Sequence, residues 1–502
     1  MRPVASHALK DVSKLLSGSL LAKLFGIASL MLFARVLTKS QMAIFPAYLM
    51  LAEIPNLILT LGIFSTFTRR LPSLIRENPL HARSLILTGS ALIVAGTILP
   101  SVAAFYWSDA VAEFAFKNAA DGWIIRIMVP GFIAYVFSRI VEYVMWGRGQ
   151  FGATSILQII ESVVRPLSVV SLYLLLGYRG IAVGLVLTQL VLASVGLWYV
   201  RDVFARPLPP IYPIRELIWE SMPYYIGNYL SYLRGDGDNL LVTALLGPTA
   251  LAEYYVAKTL YTNLLLLQTA IDKVALQRLA QFVTGRSFVS KVIELYGRIA
   301  QTTIPFMLLA VALAPCGMVV LAGSRYADAT WPAILLLVAL LVQFVTIPVD
   351  RAVFVGVPGY VRVGYAVFEA VAVVSSVALL VPFLGLAGVA AARIIAPTCV
   401  FLFGLLILHR RLGLVLPVEP AMIAVLSALP GTIFALFLFP HPHSAASALA
   451  EAATIGGAWS MLFLILSWIL DRQLVESTAA TALRWCRTAF PSTDMIEQRG
   501  HQ

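Results

Sequence analysis

Glu161–Ala182 reads ESVVRPLSVVSLYLLLGYRGIA, and Glu369–Ala390 reads EAVAVVSSVALLVPFLGLAGVA. From Glu161 to Glu369 the offset is 208, and nine of the 22 positions are identical. A second match lies upstream. Gly18, Leu21, Leu24, Gly26, Leu32, Leu37 and Ala43 recur, without a gap, as Gly227, Leu230, Leu233, Gly235, Leu241, Leu246 and Ala252, an offset of 209. Glycine and leucine are abundant here, so either match alone carries little weight. Two matches at nearly one spacing indicate an internal duplication.

The size of the duplicated unit follows from the apolar runs. Of the 502 residues 60% are hydrophobic and 12% charged, about half the charge of an ordinary soluble domain, which makes this a polytopic membrane chain. Fourteen runs reach spanning length, at roughly 15–34, 42–64, 85–107, 123–146, 154–176, 181–200, 220–246, 253–277, 299–322, 331–355, 363–384, 388–408, 421–440 and 451–470. The period therefore holds six helices. The expected fold is all-α, with about 14 transmembrane helices in two pseudo-symmetric six-helix lobes around a central cavity. The lobes are residues 1–219 (helices 1–6) and 220–410 (helices 7–12). Helices 13–14 follow in 411–470 and a tail in 471–502. An even-numbered unit re-enters the bilayer in the same orientation, so the lobes are expected to be related by an axis along the membrane normal.

The net charge of +11 reads as a topology signal, not as a nucleic-acid surface. With the N-terminus inside, inner loops and tails hold 23 Lys or Arg, outer loops 5 and helices 8, which accounts for all 36. That bias places both termini in the cytoplasm. The first run, from Leu15 to Ala34, is long enough to be a retained helix and not a cleaved signal. Cys316, Cys399 and Cys486 have neither metal-ligand nor disulfide spacing. No loop exceeds about 25 residues, which leaves no room for a soluble catalytic domain, and no phosphate-binding G-x-x-x-x-G-K-[ST] motif is present. The chain reads as a non-enzyme.

The opening LLSGSLLAKLFGIASLMLFARVLTKSQMAIFPAYLML (Leu15–Leu51) resembles the start of the Wzx-type polysaccharide-biosynthesis flippases. So does DNLLVTALLGPTALAEYYVAKTL (Asp238–Leu260), which is similar to their junction between helices 7 and 8, and the repeated LGYRGIA and LGLAGVA turns. Where the family often has F-G-x-Y, this chain has Met42-Ala43-Ile44-Phe45. The resemblance covers about residues 10–410. It implies the fold of the multidrug/oligosaccharidyl-lipid/polysaccharide exporter superfamily, two lobes making a V-shaped cavity. It also implies movement of a glycan on an undecaprenyl-pyrophosphate-type carrier from the inner to the outer leaflet of a bacterial-type inner membrane. Glycan polymerase and glycosyltransferases are the implied partners. Alternatives within the superfamily are a multidrug or cation exporter and a peptidoglycan-precursor flippase.

A central intramembrane charge costs roughly 2.5–3.5 kcal/mol on insertion scales, so each needs a partner or a watery cavity. Lys23, Arg165, Arg234, Lys258 and Arg393 are the candidate substrate-binding cations, since Arg offers phosphate a bidentate fork and Lys a point charge. Glu53, Glu161, Asp236, Asp238 and Glu369 are the candidate coupling or charge-relay acids. Glu161 and Glu369 are repeat-mates, and a proton or sodium gradient is the candidate energy source; no cofactor or metal is expected. Local pairs are expected for Arg139 with Glu142 and Glu161 with Arg165. For Lys23 a pair with Glu53 is the alternative to lining the cavity, and Asp350 and Arg351 are expected to lie near the cytoplasmic end. Tyr225, Tyr229 and Tyr232 share a face suited to sugar stacking or to interface anchoring. The prolines Pro46, Pro55, Pro130, Pro166, Pro305 and Pro348 are expected to kink their helices. In YLRGDGDNLLV (Tyr232–Val242), two glycines beside three charges predict an opening of helix 7, with Asp238 orienting Arg234. Gly26 marks the matching place in helix 1. Cysteine labelling is expected to place 65–84, 201–219 and 278–298 on one side and 108–122 and 323–330 on the other. Finding 65–84 and 108–122 on the same side would overturn the helix count.

Overall fold

The computed structural model describes residues 2–204, 209–281, 286–438 and 444–470. No strand occurs among them. The first apolar segments form α1 (Arg2–Val36), α2 (Lys39–Met42), α3 (Ile44–Leu59), α4 (Ile63–Glu77), α5 (Pro79–Tyr106) and the short α6 (Ser108–Phe116). Next come α7 (Gly122–Gly147), α8 (Phe151–Leu176), α9 (Tyr178–Tyr199), the single turn α10 (Arg201–Phe204), α11 (Ile214–Gly235), α12 (Gly237–Leu246) and α13 (Pro248–Ala280). The remainder is α14 (Arg286–Ala322), α15 (Thr330–Gly356), α16 (Gly359–Leu412), α17 (Glu419–Leu438) and α18 (Ala445–Leu470).

Ten helices among the described residues are long and apolar enough to cross a membrane. One of them, Val361–Leu412, takes in two of the fourteen apolar runs. Runs 15–34, 220–246 and 253–277 are helical too but are not among the ten. Many large apolar side chains face outward, Leu99, Leu175 and Phe437 among them, as lipid-facing residues do.

Several interruptions fall at glycines, while the helices run on through Pro55, Pro130, Pro166, Pro305 and Pro348. Between α3 and α4 the chain turns through Leu61 (φ 49°) and Gly62 (φ 79°). A Cβ on Gly62 would sit 2.4 Å from the Ser221 carbonyl oxygen, so both the conformation and the close approach of α11 require glycine. The repeat has a structural counterpart. Gly177 (φ 59°, ψ −138°) separates α8 from α9, and its repeat-mate Gly385 (φ 54°, ψ −129°) breaks α16 with nearly the same backbone angles. Three residues on, a Cβ on Gly180 would meet the Leu172 carbonyl oxygen at 1.9 Å, and one on Gly388 would meet that of Leu380 at 2.6 Å. The shared L-G-x-x-G motif thus folds each segment back on itself in the same way. Gly26 differs from Gly235, because α1 passes through it without interruption.

By packing, the chain divides into two compact units whose bounds differ from those of the sequence lobes. Unit 1 holds 1–263, 321–333 and 366–396, and unit 2 holds the rest. One core of unit 1 joins Ile63, Phe67 and Leu71 of α4 to Leu85 and Ile93 of α5 and to Ile140 and Met145 of α7. Its inter-helix turns are tied by charge: Lys39 reaches Glu253 at 2.6 Å and Asp328 at 3.1 Å, and Arg325 donates to the Leu37 carbonyl at 3.0 Å. In unit 2, Ile304, Leu308 and Cys316 of α14 pack on Ala424 and Ala428 of α17 and on Ile455 and Trp459 of α18. The Trp459 indole N–H donates to Thr432 at 3.0 Å, which donates in turn to the Leu308 carbonyl at 3.0 Å.

The two repeat glycines supply a stability test. Gly180→Ala and Gly388→Ala are expected to lower the thermal midpoint in detergent by the equivalent of about 1–3 kcal/mol of overpacking. Gly152→Ala, where the added Cβ meets nothing within 4 Å, is expected to be neutral. Equal midpoints for all three variants would refute the crowding.

Candidate functional site

The break between α11 and α12 creates the site. Asp236 (φ −115°, ψ −4°) stands at the junction, and its N–H still bonds the Tyr232 carbonyl at 2.8 Å. The next amides turn inward: Asn239 N–H donates to the Asp236 carbonyl at 3.1 Å and to the Asp238 carboxylate at 2.9 Å. The Gly235 carbonyl accepts from two side chains, Lys258 Nζ at 3.1 Å and an Arg393 guanidinium N–H. Two cations from distant helices thus answer a carbonyl at the opened turn.

The same cations hold Asp238, which is 3% exposed. Lys258 Nζ lies 2.7 Å from Oδ1, and Arg393 lies on Oδ2 with Nη2 at 2.6 Å and Nε at 2.8 Å. Tyr254 adds its hydroxyl to Oδ2. A buried carboxylate facing two buried cations would leave an uncompensated charge, and the remaining charge comes from Asp236, whose Oδ1 is 2.9 Å from Lys258. Lys258, Arg393, Asp236 and Asp238 therefore sum to zero. Asp238 also lies in the first turn of α12, where a negative charge suits the helix dipole. Tyr261 stands beside Arg393, with Nη1 3.5 Å from its hydroxyl and the guanidinium 5.6 Å from the ring centre.

In front of this cluster, within unit 1, opens a cavity of about 340 Å³. Its polar wall is Glu53, Tyr135, Arg139, Tyr232, Asp236, Asn239, Tyr255 and Lys258. Glu53 accepts from the Tyr135 hydroxyl and, at 3.4 Å, from Asn56. Arg139 pairs with Glu142 and lies 5.3 Å from the Tyr143 ring centre. Arg139 Nε and Asn239 Oδ1 are buried without a hydrogen-bond partner, one donor and one acceptor in the same wall. Buried polar atoms of that kind mark a place that a polar ligand or solvent satisfies.

The structure sorts the ten site residues drawn from sequence. Lys258, Asp236 and Glu53 line the cavity, with Asp238 and Arg393 directly behind Lys258. Lys258 and Arg393 are not bare cavity cations, since acids already neutralise them. Lys23 does not pair with Glu53; its ammonium donates to the Thr262 carbonyl at 3.2 Å, and Glu53 is taken by Tyr135. The reason is topological, for α13 approaches α1 there. Arg165 and Glu161 form the expected i,i+4 pair on α8 and are not in the cavity wall. Glu369 is half-buried on α16 and lies outside that wall as well. The side chain of Arg234 lies outside the described residues; among those described, the side-chain partners of Asp238 are Lys258, Arg393 and Tyr254. Asp350 and Arg351 are not simply extended towards an interface: Arg351 pairs with Asp272, and Asp350 accepts from Tyr365. Of the tyrosine face, Tyr232 lines the cavity. Sequence reading missed Tyr135, Tyr254 and Tyr261 as parts of the site, and no local spacing connects them to the acids they serve. Among the described residues no group of three His, Cys, Asp or Glu is placed to hold a metal ion.

A family model described as "Polysaccharide biosynthesis protein" matches residues 8–277, more than half of the chain. The chain belongs to that family. None of the curated proteins matches the sequence. Solved structures give the fold. "Lipid II flippase MurJ, inward closed conformation" aligns over 92% of this chain and 99% of its own length, with a TM-score of 0.73 and 14% identity. "Inward-facing conformation of a multidrug resistance MATE family transporter of the MOP superfamily" covers 78% and 94%, with a TM-score of 0.62 and 14% identity. At such identities the likeness is one of fold. The two solved structures that share the fold are a flippase and a multidrug transporter.

The cluster has a measurable consequence. Asp238→Ala strands Lys258 and Arg393 in the interior and is expected to cost about 3–5 kcal/mol, seen as loss of folded protein or a large fall in thermal midpoint. Glu161→Gln, in a half-exposed pair, is expected to cost no more than about 1 kcal/mol. Similar midpoints for the two variants would show that Asp238 is not the keystone of the cluster.

Proposed function

We propose that this protein moves a glycan linked to a polyprenyl pyrophosphate from the inner to the outer leaflet of a bacterial-type inner membrane, for polysaccharide export. The observation that carries the reading is the cavity wall, where Lys258 and Arg139 stand among Tyr135, Tyr232 and Tyr255 with an unpartnered donor and acceptor. Cations suit a pyrophosphate, and phenol rings suit sugar faces. In this reading Lys258 and Arg234 meet the pyrophosphate, and Arg393 and Asp238 set the position of Lys258. Lys23 and Arg165 serve the path of the headgroup outside the described cavity. Fourteen spans arranged as two six-helix lobes plus two further helices, with both termini in the cytoplasm, form the frame. Glu53 is the proposed coupling acid, responding to a proton or sodium gradient, because it lies in the wall under the Tyr135 hydroxyl. Glu161 and Glu369 are the second, repeat-related pair in that role. Glycosyltransferases and a glycan polymerase act before and after the transfer.

Reconstituted vesicles carrying a fluorescent polyprenyl-pyrophosphate oligosaccharide test this directly. The wild-type protein is expected to make the inner-leaflet label accessible from outside, and Tyr232→Ala and Tyr255→Ala to slow this at unchanged protein abundance. Absence of flipping by folded wild-type protein, together with export of organic cations, would replace the reading by a drug or cation exporter.

A further inference from the structure

Lys258 is not available to any ligand in the arrangement described, because its ammonium has three donors and all three are answered. Asp238 Oδ1 lies at 2.7 Å, Asp236 Oδ1 at 2.9 Å and the Gly235 carbonyl at 3.1 Å. The three acceptors are not equally fixed. Gly235 contributes a backbone oxygen at the helix break. Asp238 is 3% exposed and is also held by Arg393 and Tyr254, so its departure would strand charge in the interior. Asp236 differs: its side chain is 65% exposed, it lines the cavity, and Lys258 is its ion-pair partner among the described residues.

We infer that Asp236 is an internal placeholder, a carboxylate that occupies the anion position on Lys258 at rest and is displaced when an anionic headgroup enters the cavity. The inference rests on the proposed pyrophosphate contact at Lys258 and adds the step that gates it. A carboxylate and a phosphate present the same acceptor chemistry to an ammonium group, so the exchange keeps all three Lys258 donors satisfied. Because the Asp236 carboxylate is 65% exposed, water can take its place at low cost, yet between cycles it neutralises the buried Lys258. The backbone helps, because Asp236 stands at the helix junction, where its side chain can swing into the cavity without moving the α12 residues that bind Arg393. Selectivity follows. A neutral or cationic molecule offers Lys258 nothing in return for Asp236, whereas a multiply charged anion does.

The test uses full-length protein in lipid nanodiscs, titrated with inorganic pyrophosphate and followed by calorimetry. Asp236→Asn is expected to bind pyrophosphate about two- to five-fold more tightly than wild type, the worth of an ion pair whose acid is open to solvent. Asp236→Glu, which keeps the charge, is expected to stay near wild type, and the gain in Asp236→Asn is expected to shrink at high salt. A thermal midpoint for each variant confirms that folded protein is compared. If wild type binds and Asp236→Asn binds equally or more weakly, the placeholder is refuted while the anion contact stands. If neither folded protein binds pyrophosphate, the anion contact itself is refuted and the placeholder falls with it.

Discussion

A carboxylate at 3% exposure in a short apolar helix is a constraint that its neighbours must satisfy. Asp238 meets it with one ammonium, one guanidinium and one phenol, drawn from α13 and α16. Burial penalises each charge separately, so removing Asp238 would leave both cations without the carboxylate they share. The cluster therefore depends on Asp238. It fixes where α12 begins, where α13 passes and which face of α16 turns toward them.

The helix break and the charge cluster explain one another. An unbroken helix would leave the Gly235 carbonyl inside the backbone ladder, with nothing to offer Lys258 or Arg393. Opening the turn costs backbone hydrogen bonds and places two glycines where propensity disfavours them, by about 1 kcal/mol each. The two cations offset that cost by bonding the freed carbonyl, at 3.1 Å for Lys258. Gly26 shows the converse. It occupies the repeat-equivalent place in α1 but has neither a second glycine nor an adjacent acid, and α1 stays continuous there.

Much of this was legible in the sequence where the physics is local. The all-helical class follows from apolar runs, and the L-G-x-x-G turns follow from a repeated motif whose two copies adopt the same backbone angles at Gly177 and Gly385. The pairs Arg139–Glu142 and Glu161–Arg165 follow from helical spacing. The unusual character of Gly235–Asp238 was visible as an expensive patch inside an apolar run. Its partners were not. Arg393 lies 155 residues from Asp238, and no periodicity joins them. The acid of the patch was expected to serve the adjacent Arg234, because sequence distance was the only distance available. In the fold, Asp238 meets Lys258 and Arg393, which other helices bring to it.

Neutrality gives the cavity its selectivity problem. A wall with bare cations would bind any anion tightly and release it slowly, which suits storage and not transport. Here each lining cation described has an acid of its own, Glu142 for Arg139 and Asp236 with Asp238 for Lys258. An anionic ligand must therefore compete with carboxylates that differ sharply in how firmly they are held. Among the described residues Asp238 is held by three side chains, while Asp236 is anchored by one and open to the cavity. That inequality turns a neutral cluster into one with a defined order of exchange: the buried acid keeps the cations in place, and the exposed acid gives way. A transporter needs both properties at one site, because binding has to be reversible without dismantling the helices that form it.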